Sequence, residues 1–226
     1  MCDSYFFLMN DKDRNPFLPG ILDIAPGRIL PVAPSKLSFP PVDLKEIENE
    51  SVFLNFNENV DLDFDYREDQ GHIISEYFMS KLSPFNSPPK IVKPLSIWMG
   101  GVEQPIKLNY MAFYRGKWDK GNQLDDDFSF YDRGKSVYVE GRRKDMVPIG
   151  EIVLTDKAKQ YDYFQLLDTT YLRTFIVINN KVKNALEMSA LKGFKIIPLQ
   201  NGFSEYCKAY GRTIEELLPK IKRRMP

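Results

Sequence analysis

The chain has 226 residues, enough for one large domain or for two small lobes sharing a core. Its 43% hydrophobic and 27% charged residues, with 16 Phe and 12 Tyr, supply ample area for a packed interior and exclude a wholly disordered chain. Thirty-one basic and 31 acidic residues cancel, so no global field draws the molecule to nucleic acid or anionic lipid.

Met1-Cys2-Asp3 is not the basic start of an export signal, and the apolar run Tyr5–Met9 breaks at Asn10 and Asp11. No stretch approaches the roughly 18 apolar residues of a membrane span. A reducing cytoplasm is therefore the expected compartment, with no membrane partner. Cys2 and Cys207, at opposite ends, form neither a disulfide framework nor a metal knuckle. Tyr5–Met9 reads as a strand. Pro16, Pro19, Pro26, Pro31, Pro34, Pro40 and Pro41 then forbid a long helix and predict extended segments and turns.

From Val42 to Gln70 the chain is acidic: Asp43, Glu46, Glu48, Glu50, Glu58, Asp61, Asp63, Asp65, Glu68 and Asp69 face only Lys45 and Arg67. Within it, Val60-Asp-Leu-Asp-Phe-Asp-Tyr66 alternates residue by residue, the period of a strand with one wet face. Ile73–Leu82 follows as strand, N-cap and helix, then Ile91–Leu95 as a second strand. Between residues 105 and 155, Tyr110–Tyr114, Phe128–Tyr131, Ser136–Glu140 and Ile149–Leu154 are short β-type runs separated by Gly, Asp and Lys turns. The end reads as helical over Phe203–Tyr210 and Thr213–Arg223, with Thr213 and Glu216 placed as a capping box.

One pattern recurs. Adding 104 to the positions of Ile73–Leu82 and Ile91–Leu95 lands without a gap on Val177–Leu186 and Lys195–Leu199, so that Ile74 meets Ile178, Ser75 meets Asn179, Leu82 meets Leu186 and Pro94-Leu95 meets Pro198-Leu199. Ser75 and Asn179 suit helix N-caps, because a short side-chain oxygen accepts from the unpaired first amides. Phe78 with Leu82, and Val182 with Leu186, stand one turn apart as apolar stripes. Gly193 is read as a left-handed residue closing the second helix. The expected fold is α+β: largely antiparallel or mixed sheet, two related strand–helix–strand units and a helical C-terminus. It is taken as a single domain over 1–226, with an N-terminal half (1–104) carrying the Pro-rich segment and first unit, and a C-terminal half (105–226) carrying the second unit and terminal helices.

Glu151-Ile-Val-Leu-Thr-Asp-Lys157, Tyr163-Phe-Gln-Leu166, Thr174–Leu186 and Leu191-Lys-Gly-Phe-Lys-Ile-Ile-Pro-Leu199, in that order and spacing, resemble the C-terminal half of the Imm11 (DUF1629) immunity proteins. Ile74-Ser75-Glu76 resembles that family's earlier strand–helix element. The resemblance runs from about residue 60 to 200. It departs at Asn179-Asn180, where the family carries Ser-Glu, and in the helices beyond the usual end. It implies a cytoplasmic, non-enzymatic protein of a polymorphic toxin system, serving bacterial competition, with toxins delivered by type VI or contact-dependent routes. Its partner would be a cognate toxin effector domain, neutralised by stoichiometric occlusion.

Chemistry finds little to work with. His72, the one histidine, follows Gly71 at a strand entry and reads as a structural residue of a turn or half-buried edge. Neither cysteine has an activating neighbour. Asp125-Asp126-Asp127 opens a metal-assisted hydrolase reading, yet consecutive carboxylates rarely converge on one ion, and a solvated loop tip is preferred. Gly100-Gly101 follows Trp98-Met99 without the spacing of a phosphate-cradling loop, and Gly116 and Gly121 read as turn residues. The basic tail Lys220–Arg224 opens a nucleic-acid-binding reading, set against a solvated helix face. No cofactor and no metal is expected. Binding needs only a few aromatic anchors and steering charges. The candidate partner-binding residues are Trp118, Asp119, Asp125, Asp126, Asp127 and Tyr131 in one aromatic–acidic loop, with Asp61, Asp63 and Asp65 in the acidic tract, suited to a basic toxin surface.

Overall fold

The computed structural model describes residues 4–11, 21–25, 51–68, 71–113, 130–140, 146–148, 150–166, 175–209 and 211, and only the backbone of 21–25, 138–140 and 146–148. In chain order the elements are β1 (Tyr5–Asn10), β2 (Ile21–Ala25), β3 (Ser51–Phe56), β4 (Tyr66–Glu68), β5 (His72–Ser75), α1 (Glu76–Leu82), β6 (Lys90–Met99), β7 (Val102–Phe113), β8 (Tyr138–Glu140), β9 (Met146–Pro148), β10 (Tyr163–Gln165), β11 (Ile176–Asn179), α2 (Asn180–Glu187), β12 (Phe194–Pro198) and α3 (Gly202–Ala209). The fold is α+β, as the residue patterns predict.

Two main sheets form the body. One is four-stranded in the order β10-β11-β1-β12, the other six-stranded in the order β2-β3-β6-β7-β5-β4, and β8-β9 is a separate hairpin. Pairing is antiparallel except between β3 and β6, where Val52 aligns with Leu95 and Phe56 with Met99 in parallel. The N-terminal strand β1 lies between β11 and β12, so residues near the start close a sheet built otherwise from the last third of the described chain.

The helices form where capping and stripe agree. Ser75 Oγ accepts from the Phe78 amide at 3.0 Å, and Asn179 Oδ1 accepts from Lys181 and Val182 amides at 3.0 and 3.2 Å. Phe78, Leu82, Val182 and Leu186 are buried. They join Leu8, Tyr66, Ile74, Met111, Phe113, Tyr163, Ile176 and Ile178 in one cluster shared by the two main sheets. Burying each such side chain contributes about 1.5–3 kcal/mol against leaving it in water. Separate clusters line the other faces: Phe7, Phe164, Val177, Phe203 and Cys207 on the four-stranded side, and Val52, Leu54, Phe56, Ile97 and Tyr110 on the six-stranded side.

Several expectations change on contact with the structure. Val60–Asp65 forms no strand; only Tyr66–Glu68 pairs, with β5. The alternation survives without a ladder, because an extended segment turns successive side chains to opposite sides whether or not it is hydrogen-bonded. Val60, Leu62 and Phe64 pack against the six-stranded sheet's outer cluster, and Asp61 and Asp63 point to solvent. Gly193 has φ +98° but lies beyond the C-cap of α2, which is Met188 in right-handed conformation. It opens the turn into β12 and takes the Asp11 amide on its carbonyl at 3.0 Å. Of the described residues Gly150–Leu154, only Leu154 makes a β-bridge, to Tyr131, and Ile149 lies outside the described residues. The predicted helix Phe203–Tyr210 is observed as Gly202–Ala209. Thr213–Arg223 and most of the Pro-rich segment lie outside the described residues. No helix among the described residues is long and apolar enough to cross a membrane.

Candidate interaction surface

Asp65 ends the acidic ridge and binds it to the rest of the molecule. One carboxylate oxygen accepts from Ser75 Oγ at 2.7 Å, and the other accepts from the Lys192 amide at 2.9 Å. The Lys192 carbonyl takes the amides of Asp65 and Tyr66 at 3.0 and 3.3 Å, and the Lys192 ammonium donates to Asp63 at 2.7 and 2.8 Å. The loop after α2 thereby grips the segment that enters β4. Asp63 keeps 65% of its side-chain surface exposed, and Asp61 and Glu58 are exposed. Two residues past the Ser75 cap, Tyr77 is 49% exposed, with the Lys81 ammonium 4.8 Å from its ring centre. Glu58, Asp61 and Asp63 are thus exposed carboxylates of the ridge, and Tyr77 is an exposed ring on α1.

Among the predicted binding residues, the structure separates Asp61 and Asp63, which face solvent, from Asp65, which is engaged inside the molecule. Tyr131 is 1% exposed and packs in the core with Phe130 and Leu154, so its ring is a core element in this structure. Trp118, Asp119, Asp125, Asp126 and Asp127 lie outside the described residues, as do Cys2 and Lys220–Arg224.

His72 is fully buried in β5. Its Nε2 lies 2.8 Å from Gln165 Nε2 and its Nδ1 lies 3.2 Å from Tyr66 Oη. With the Gln165 amide as donor, the ring proton sits on Nδ1 and donates to Tyr66 Oη. Burial pushes the Tyr66 phenol well above its ordinary value, the Glu68 charge adds to this, and the Ile176 amide opposes it. This polar chain joins β4 and β5 to β10. The histidine works as a brace between the sheets, deeper than the half-buried edge its sequence context predicts.

Pattern reading missed Lys192, Asn86, Asn10 and Asp162, all of which hold loops in place. Asn10 exchanges two hydrogen bonds with the Glu68 backbone, at 2.9 and 2.7 Å. Asp162 accepts from the Asn86 amide at 2.9 Å and from Asn179 Nδ2 at 2.7 Å, the same arrangement as at Asp65. A signal for the last existed: Asp65-Tyr66 and Asp162-Tyr163 are the same dipeptide, each ahead of one copy of the repeat.

The family model described as Immunity protein 43 (Imm43) matches residues 31–214, most of the chain. The chain belongs to the Imm43 family. The match is to Imm43 and not to Imm11, so the residue patterns named the class, immunity proteins, and missed the family within it. No curated protein matches the chain.

Proposed function

We propose that this Imm43 protein protects its producer by binding a cognate secreted toxin domain in a stoichiometric complex that occludes it. The family match over residues 31–214 carries this reading. The protein would act in the cytoplasm on a toxin delivered by a competitor, without turnover of its own. The contact would run along Glu58, Asp61 and Asp63, with Tyr77 as the aromatic anchor. Carboxylates steer a basic partner to the face and raise the rate of encounter, and a desolvated tyrosine supplies the short-range energy. A nuclease toxin presents such a basic face, because it must hold phosphates.

The test is co-expression of the toxin domain encoded beside this gene, with and without this chain, followed by co-purification. Rescue of growth together with a one-to-one complex is the expected result. Rescue without a physical complex overturns occlusion. Within that assay, the combined reversal Glu58→Lys and Asp61→Lys is expected to weaken the complex at least tenfold and to flatten its salt dependence. Unchanged affinity places the contact elsewhere on the molecule.

A further inference from the structure

We propose that the chain consists of two equivalent units joined head to tail whose first strands have been exchanged, so that each unit's sheet is completed by the other half. Each unit runs through a first strand, a short strand opened by Asp-Tyr, a strand, a helix and a last strand. In the first these are β1, β4, β5, α1 and β6; in the second, β7, β10, β11, α2 and β12. The four-strand order β4-β5-β7-β6 in one sheet repeats as β10-β11-β1-β12 in the other, antiparallel throughout. The place that β7 fills in the first unit's sheet is filled by β1 in the second's.

The register repeats along with the order. Phe6 pairs with Ile178 on one side and Pro198 on the other, and Asn109 pairs with Ile74 and Pro94. Ile74 and Ile178 correspond in the sequence repeat, as do Pro94 and Pro198, so a shift of 103 for the first strand and 104 for the two strands that flank it superimposes both ladders. The clamps repeat as well. Asp65 holds its own unit's N-cap residue and the post-helix loop of the other unit at Lys192; Asp162 holds Asn179 and the post-helix loop of the first unit at Asn86. The Lys192 carbonyl accepts from the Asp65 and Tyr66 amides, and the Asn86 carbonyl accepts from those of Asp162 and Tyr163. The second-unit residues matching Asp65-Tyr66 lie 97 positions on, so the connection from Asp-Tyr to the next strand is seven residues longer in the second unit than in the first.

A short linker explains the exchange. Met99 pairs with Val102, leaving Gly100 and Gly101 as the whole turn, with φ +56° and +80°. Both central residues need the left-handed region that such a two-residue hairpin demands. A strand leaving that turn has nowhere to go but alongside β6, and there it occupies the slot of its own unit's predecessor. β1 is left to complete the second sheet. Shortened connections are a known route to exchange of equivalent elements.

A protease site inserted between Gly100 and Gly101, cut after the full chain has folded, tests the arrangement. The two pieces are expected to stay together at the uncut protein's size, with an unfolding midpoint that becomes dependent on concentration. Pieces that separate in buffer, or a separated piece that keeps its own folded spectrum, overturn the proposal. Native-state hydrogen exchange on the unmodified chain keeps the test open should the insertion fail to fold. Phe7 and Val177 in one sheet and Ile73 and Met111 in the other are expected to open together; two urea midpoints overturn it. Equivalence has its own arm: Asp65→Ala is expected to release protection at the Lys192 amide, and Asp162→Ala at the Asn86 amide. An effect confined to the substituted residue's own half overturns the paired clamps.

Discussion

Asp65 and Asp61 stand four residues apart in one acidic tract, yet the structure gives their carboxylates opposite duties. Removing the Asp65 carboxylate by Asp65→Ala deletes the acceptor for Ser75 Oγ at 2.7 Å and for the Lys192 amide at 2.9 Å. Hydrogen bonds to a charged group contribute about 1.5–3 kcal/mol each, and partial exposure of this site holds the pair at or below twice the lower value, for a total of about 2–3 kcal/mol. Ser75 keeps its cap on the Phe78 amide, so the helix start persists and the loss is that of the clamp. Asp61 is exposed, and Asp61→Ala is expected to change stability by no more than about 0.5 kcal/mol. Urea unfolding followed by tryptophan fluorescence and far-ultraviolet dichroism measures both, with a lower midpoint and an unchanged slope expected for Asp65→Ala. The thermal midpoint should fall by about 4–12 °C, at 2–4 °C per kcal/mol for a chain of this size. Equal, near-zero effects from the two substitutions would refute the clamp.

Other consequences follow from the core. Tyr66 is neutral in the folded state and its pKa is raised by burial, so its contribution is complete below about pH 10 and declines as pH rises past that point, where the unfolded chain ionises first. Tyr66→Phe should flatten the fall in urea midpoint between pH 9 and 11 relative to the parent; an identical slope contradicts this. Gly71→Ala is expected to cost about 2–4 kcal/mol, because φ is +135° and the added methyl would stand 2.6 Å from the buried Tyr110 ring. Gly202→Ala places its methyl 2.4 Å from the Phe7 ring without backbone strain, so Phe7→Leu in the same chain should recover part of the loss. Chemical denaturation of the single and double variants checks both.

Elements whose causes are local were legible in the sequence. The two N-caps, the one-turn apolar stripes and the strand at residues 5–9 depend on neighbours within a few positions, and each forms where the pattern places it. The repeat was legible too, but only across its strand–helix–strand part. Its first strands escaped notice because Tyr5-Phe-Phe-Leu-Met and Leu108-Asn-Tyr-Met-Ala share a place in the fold and little chemistry. Pairing of residue 5 with 179, or of residue 65 with 192, has no local signature at all. The acidic alternation misled for a related reason: it reports an extended chain with two faces and is silent on whether a neighbour offers a ladder. At Asp65 the residue type suggested a solvent-facing charge, and the contacts with Ser75 and with Lys192 from the far half make it internal.

Binding by a preformed ridge loses less conformational entropy than binding by a loop that must first be ordered. The ridge is supported twice, from below by Val60, Leu62 and Phe64 on the sheet, and from the side by Lys192 at Asp63 and Asp65. The second support comes from the other half of the chain, so a partner seated on Asp61 and Tyr77 would draw on contacts made by both units. Mass action then requires that such a partner stabilise the whole molecule by an amount set by its concentration over its dissociation constant, not the first unit alone. In a fold whose sheets each hold strands from both halves, a surface on one unit is mechanically a surface of both.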